Sequence, residues 1–445
     1  MRFGISSKKL FNLLLVLAVS ATWIATSSVS AVAFYQTNPT SPAVDKDLQT
    51  ANQRVREGKV DEAYAALKTY AAAHAESPPP YLMLAKALFA ADQAAPGRQA
   101  LEKAAVEAPD CPEVFLAFGA LALAEGRYND ARLNLEKALA PTAEDKRSDA
   151  QKRATILEAK SGLATVAEAR GQWKLAQTQL NALLELDPKN GLVRQRLGRA
   201  LFQLGNVEEA FAALTQATKD TPALEPAAWS MALLYDQKAD VKKAQEWFVY
   251  AEKLDPKNAP IRLAHANWLL NQGQLEDART SVDVAAELDP NSKETSRLNA
   301  LIAWYLRDLA TAEKLLEPLH RDVPGNFAVA DLLALTLVEQ DDKAKQSRGL
   351  QLAEVNARQF PRSAGAIATL GWANYRSGHL DEAEKFLRAA VNGVRTTPDV
   401  AYYFARVLSD KGKVEDARKI LESTAALPGP FAHRADAKTL LASFK

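Results

Sequence analysis

Reactive chemistry is scarce in this chain of 445 residues. It has one cysteine, Cys111, so no intramolecular disulfide can close and no thiol cluster can hold a metal. With no cysteine near the N-terminus, a lipoprotein anchor is excluded as well. The five histidines, His74, His265, His320, His379 and His433, fall in different segments, and none has a second ligand at metal spacing. No phosphate-binding loop, nucleophile elbow or dinucleotide fingerprint is present. Nor is there an excess of either charge. The net value is +1, and without Arg2, Lys8 and Lys9 there are 52 basic residues to 54 acidic ones. That balance argues against a general nucleic-acid or anionic-membrane binder. Aromatic residues make up only 7% against 48% hydrophobic, with many alanines, a mixture suited to closely packed helices. We therefore expect no catalytic residues, no metal and no cofactor.

What the chain does have is a period. The stretch Gly191 to Leu224 reads as two amphipathic helices around a turn. Leu197, Gly198 and Leu201 mark one face of the first helix, and Gly205-Asn206 breaks it. Ala210, Leu214 and Ala217 mark the second helix, and Pro222 closes the unit because it has no backbone N–H with which to continue it. The small residue at 198 has counterparts at Ala51, Ala85, Gly119, Ala164, Ala232, Ala266, Ala300, Ala334, Gly371 and Ala405. Neighbouring members are 34 residues apart eight times, 45 once (119 to 164) and 37 once (334 to 371). Turn glycines follow the same register at Gly58, Gly126, Gly171, Gly205, Gly273, Gly378 and Gly412.

The order L-G-x-x-L, G, A-x-x-x-L-x-x-A and P, at this spacing, resembles the tetratricopeptide (TPR) repeat. The resemblance implies an all-α TPR solenoid, a right-handed superhelix of about eleven helix-turn-helix repeats closed by a C-terminal capping helix. It also implies a binding scaffold, with the first helix of each repeat facing a concave groove. The acidic pairs Asp61-Glu62, Glu208-Glu209, Glu276-Asp277, Asp381-Glu382 and Glu415-Asp416 open second helices, where negative charge complements the helix dipole. They are structural rather than catalytic.

The ends and the two irregular steps set the organisation. Arg2, Lys8 and Lys9 precede an apolar run from Leu10 to Ala25 and then Ala31-Val32-Ala33. This predicts a signal peptide over 1–33 or, uncleaved, an inner-membrane anchor over residues 10–33. Either form places the rest of the protein outside the cytoplasm, periplasmic or extracellular. Residues 34–44 read as a linker, 45–430 as the array and 431–445 as the cap. The long step, an insertion near 141–156, is rich in charge and free of glycine, and predicts a first helix extended N-terminally from about Ser148. The second, near 341–348, predicts a lengthened, mobile turn between two helices.

Groove positions follow from the register. They include Asn52, Lys86, Glu168, Phe202, Gln203, Asp236, Gln237 and Trp304. The candidate ligand contacts are Arg199, Asn267, Asn271, Trp372, Tyr375, Arg376, Tyr402 and Arg406. Asn267 and Asn271 lie one helical turn apart and could clamp a peptide backbone as donor and acceptor. The C-terminal set places aromatic faces beside arginines, a combination frequent at binding hot spots. The clamp by which some TPR domains hold a terminal carboxylate is absent, since Leu48 stands where its lysine belongs. A protein or peptide partner is therefore expected, in envelope assembly or secretion. The alternative is a polysaccharide groove with Trp304 and Trp372 as sugar platforms.

Overall fold

The structure is a computed structural model that describes residues 46–140, 147–392 and 396–444. The expected signal segment and linker lie outside the described residues, as does the start of the first insertion. The described residues divide into two units, one ending at Trp247 and the other beginning at Phe248.

The first unit opens with α1 (Lys46–Arg56) and α2 (Val60–Ala73), then α3 (Pro80–Ala90) and α4 (Ala94–Glu107). It continues with α5 (Pro112–Ala124) and α6 (Tyr128–Ala138), then α7 (Asp149–Ala169) and α8 (Trp173–Leu186). Next come α9 (Gly191–Gln203) and α10 (Val207–Asp220), then α11 (Ala227–Gln237) and α12 (Val241–Leu254), within which the division falls. The second unit proceeds through α13 (Ala259–Asn271) and α14 (Leu275–Leu288), α15 (Lys293–Tyr305) and α16 (Leu309–Asp322), and α17 (Phe327–Val338) and α18 (Lys343–Gln359). It closes with α19 (Ala364–Arg376) and α20 (Leu380–Val391), α21 (Pro398–Asp410) and α22 (Val414–Thr424), and the single helix α23 (Arg434–Ser443). Odd numbers up to α21 are first helices and even numbers are second helices. Eleven pairs and a final helix account for every helix among the described residues, which contain no strand.

Local chemistry explains the boundaries. Asn190, Asn258, Ser292, Asn326, Ser363 and Thr397 each cap a first helix by accepting a backbone N–H three residues on. The acidic pairs do occupy the first turns of second helices. The registered small residues let the two helices of a pair touch. A Cβ on Gly198 would sit 2.7 Å from Leu214, and one on Gly371 would sit 2.6 Å from Leu387. Those leucines are buried, each contributing about 1.5–3 kcal/mol relative to exposure.

Three departures from the period matter. The charged stretch after the third pair becomes helix from Asp149, held by a capping box between Ser148 and Gln151, and α7 is 21 residues long. The step near 341–348 is helix where a loose turn is expected. Asp342 accepts from the backbone N–H groups of Ala344 and Lys345, so the three added residues lengthen α18 to 17 against the usual 14. The last helix begins at Arg434 rather than Phe431, because Phe431 and His433 are spent as buried anchors.

Candidate peptide-binding site

Seven turns between paired helices place glycine at positive φ, and three place another residue there: Asp92, Ala239 and Arg307. For an L-residue that conformation costs about 1–2 kcal/mol, so its use invites a reason. Arg307 (φ +64°) follows α15 and reaches a buried carboxylate, Glu339, with Nη2 donating to Oε2 at 2.9 Å. Glu339 caps the end of α17. Its Oε1 accepts from Trp372 Nε1 at 2.6 Å and from His433 Nε2 at 2.9 Å. On the other edge of the imidazole, Nδ1 donates to Asp399 Oδ1 at 2.8 Å. Asp399 also accepts the backbone N–H groups of His433 (3.1 Å) and Ala432 (3.3 Å).

His433 is 2% exposed. Its ring stacks on Tyr402, with centroids 4.9 Å apart and planes 16° from parallel. It meets Trp304, Trp372 and Tyr403 edge-on. Both ring nitrogens lie within hydrogen-bond distance of carboxylate oxygens, an arrangement that favours the protonated ring, although Arg307 Nη1 also stands 3.2 Å from Nε2. Burial alone pushes its pKa down, but the hydrogen bonds and charges of Asp399 and Glu339 outweigh that and raise it. Burial likewise opposes ionisation of Glu339, yet His433 and Arg307 hold its carboxyl at about 2. The two carboxylates bind opposite edges of the ring and share no point at which a metal could sit. Among the described residues no cluster of metal-binding side chains occurs.

The histidine belongs to the segment that follows α22, and this segment runs back across the first helices of its own unit. Gly429 (φ +95°) meets the turn after α13, where a Cβ on Gly273 would fall 3.0 Å from the Gly429 carbonyl oxygen. Ala432 packs with the Trp304 cluster, and Phe431 is buried with Trp372, Tyr402 and Tyr403. Arg434 braces the bend by donating to the carbonyls of Ala425, Leu427 and Gly429. The segment thus touches the turn after α13 and packs against residues of α15, α19 and α21 and the end of α17.

The expected ligand contacts distribute unevenly. Trp372 and Tyr402 are 3% and 6% exposed, so they do not present free ring faces; the chain's own histidine fills the space between them. Trp304 is buried beside them, as is Phe202 in the first unit. Rings at these register positions fill gaps between neighbouring first helices rather than standing up as sugar platforms. Arg376 is turned to the end of α17, donating to the carbonyls of Val338 and Glu339. Tyr375 and Arg406 form a rim pair: Arg406 Nε donates to Tyr375 Oη at 3.0 Å, and Tyr375 donates to Asp410 at 2.6 Å. Asn267 and Asn271 are exposed. Arg199 is half-buried with its guanidinium 6.0 Å from the centre of the Trp173 ring. Of the other histidines, His265 is packed, bonded to Glu252 at 2.7 Å and stacked on Phe248. Burial raises the Cys111 thiol to about 11, which leaves it protonated.

Sequence reasoning passed over Arg307, Glu339, Asp399 and His433. One signal was available, a charged residue in a slot where the register supplies glycine.

On the first unit the equivalent face is a cleft of about 160 Å³ lined by Lys86, Glu113, Leu116, Gln151, Thr155 and Glu158, among others. Loss of bulk water raises the Glu158 carboxyl above its ordinary value, with Lys86 pulling the other way. Arg147 bridges Glu113 and Thr155 at the rim.

Comparisons with known proteins fit this architecture. The tetratricopeptide repeat family matches residues 54–120 and 167–234. A TPR repeat-containing protein of Pseudomonas aeruginosa is 28% identical over 131 residues, 29% of this chain and 22% of that protein. Cellulose synthase operon protein C of Pseudomonas fluorescens is 25% identical over 209 residues, 44% of this chain and 16% of its own length. The type IV pilus assembly protein PilF of Pseudomonas aeruginosa is 24% identical over 226 residues, 50% of this chain and 84% of its own. The chain thus spans under a quarter of the first two relatives and most of the third. With the family's match over those two stretches, the 34-residue register and eleven helix pairs in agreement, the chain carries tetratricopeptide repeats.

Proposed function

We propose that the protein is a non-catalytic scaffold that holds segments of other proteins on its first-helix faces, in envelope assembly or secretion. The observation that carries this reading is the stretch from Leu427 to His433. It is an irregular, proline-containing piece of polypeptide seated on first helices through backbone, aromatic and charged contacts together. A face that accepts one such segment has the chemistry to accept others. Export of the array follows from the N-terminal pattern of Arg2, Lys8, Lys9 and Ala31-Val32-Ala33. Relatives named for pilus assembly and for a cellulose synthase operon support an envelope setting. No helix among the described residues is long and apolar enough to cross a membrane, so membrane attachment in this reading rests on residues 10–33. A polysaccharide ligand is the weaker alternative, because Trp304 and Trp372 are buried. Nothing in the charge balance favours nucleic acid.

Photo-crosslinking separates the readings. A crosslinker placed at Lys86, Arg199 or Asn267 on first helices should capture protease-sensitive adducts in cells. The same group at Glu136 or Lys174 on second helices should not. Equal capture from both sets would end the scaffold reading, and adducts removed by glycosidase but not by protease would establish the polysaccharide.

A further inference from the structure

The first-helix face of the second unit is built around two buried carboxylates that point at a guest. Glu339 and Asp399 are buried on different repeats, and the cation between them comes from residue 433, separated from them by 94 and 34 positions. The walls are aromatic: Trp304, Trp372, Tyr402 and Tyr403. Together they form an aromatic-walled slot with two carboxylates, one of them already paired with Arg307, a shape suited to an imidazolium, guanidinium or ammonium group. The chain's own segment fills it incompletely. Trp304 Nε1 and Tyr403 Oη are buried beside the imidazole, and neither finds a hydrogen-bond partner among the described residues. A permanent core element would be expected to satisfy such donors. The approach to the slot is also separable from the helices on either side, since Pro428, Gly429 and Pro430 form no regular structure and α23 begins only at Arg434.

We propose that this slot is a peptide-binding site held closed by the chain itself, and that in trans it takes a segment of a partner protein carrying an aromatic residue, one spacer and a cationic side chain. The pattern is that of Phe431-Ala432-His433. A partner residue able to accept hydrogen bonds from Trp304 and Tyr403 would gain over the internal segment. The internal segment owes its standing to being tethered, which gives it a high effective concentration. Partner binding therefore exchanges one peptide for another and leaves the helix pairs as they are. This inference rests on the scaffold reading and narrows it to one site and one ligand chemistry.

The test uses the full chain and a fluorescein-labelled peptide of sequence ALPGPFAHRA, residues 426–435. Wild-type protein should bind the peptide weakly, because its slot is filled. The His433→Ala protein, its own segment loosened, should bind at least tenfold more tightly, and a peptide with alanine in place of its histidine should lose that gain. Equal binding to both proteins, or no discrimination between the peptides, would overturn the proposal. Hydrogen exchange on the wild type gives a second reading that does not depend on the variant folding. The amides of Ala432 and His433 should exchange at least tenfold faster than those in the middle of α19 and α21. Equal protection would make the segment permanent core and sink the proposal. A wild-type dimer held by exchanged C-terminal segments would replace the partner protein with a second copy, which also overturns it. Failure in these measurements leaves crosslinking on the first unit's face untouched, so the narrower and broader readings can fall separately.

Discussion

On the first unit, Glu158 and Lys86 line a cleft that water reaches; on the second, Glu339 and Asp399 close on a histidine from the same chain. The repeat scaffold beneath the two faces is the same, down to the small residue that brings each first helix onto its partner. Their carboxylates nevertheless shift in opposite senses. Glu158 is raised by partial desolvation and by the charge of Glu113, with Lys86 pulling the other way, whereas Glu339 is held at about 2 by His433 and Arg307 despite deeper burial. The contrast teaches that the register builds the surface, and that single residues outside the register decide whether it is open or occupied.

The contrast can be broken most directly at His433. Substitution by alanine leaves Asp399 without its histidine and Glu339 with Arg307 and Trp372 alone, and should destabilise the docked segment by about 3–5 kcal/mol. Hydrogen exchange should show the loss at the amides of residues 432 and 433, with amides of the first unit unchanged. A control for the shared scaffold comes next. Leu214→Ala in the first unit and Leu387→Ala in the second remove equivalent buried side chains, and each should cost about 2–5 kcal/mol in chemical denaturation. A large difference between them would mean that the units are not built alike beneath their faces.

Acidity should separate the units further. Because the pKa of His433 is raised on docking, its contribution is fully present below the unfolded value near 6.5 and is lost as pH rises through the docked value. Glu339 is depressed, so its contribution is present above the ordinary 4.5 and is lost as pH falls toward about 2. Protection of the docked amides should therefore be greatest between pH 4.5 and 6.5, once exchange is corrected for its intrinsic pH dependence. Arg307 stays charged throughout, and the other ionisable groups around the slot include Asp399, Tyr305, Tyr402, Tyr403 and Asp436. The smallest expected effect lies in the turns. Ala239→Gly relieves a left-handed residue in the first unit and should stabilise by a few tenths to about 1 kcal/mol. Arg307→Gly, at the equivalent turn, should destabilise instead, because it also removes the ion pair to Glu339; the two signs can be compared in one set of thermal melts.

Much of the scaffold was legible because repetition multiplies weak signals. One alanine says little, but the series from Ala51 to Ala405 fixes eleven helix pairs, and each of its members is buried. Ser148 marked a helix start for the same local reason that any capping serine does. The stretch Asp341 to Arg348 misled because charge and an irregular spacing suit a loop as well as a helix, and the deciding feature was the cap made by Asp342. The aromatic cluster of Trp372 and Tyr402 was found by register, but its occupant was not. His433 meets Arg307 across 126 positions and Glu339 across 94, contacts made once and repeated nowhere, so no periodicity announces them. A rule learned from the repeats is blind to what the chain does only once.

The docked segment also has a place in time. A chain is made from its N-terminus, and repeat proteins can fold progressively as they emerge. Every helix that forms the slot is therefore complete before residue 433 exists. Throughout that interval Glu339 and Asp399 stay hydrated and the surrounding aromatic rings have no imidazole between them. A product terminated before His433 would remain in that state, with an open aromatic surface of the kind that proteases and chaperones engage. Closure of the slot thus marks a chain that has been made past His433.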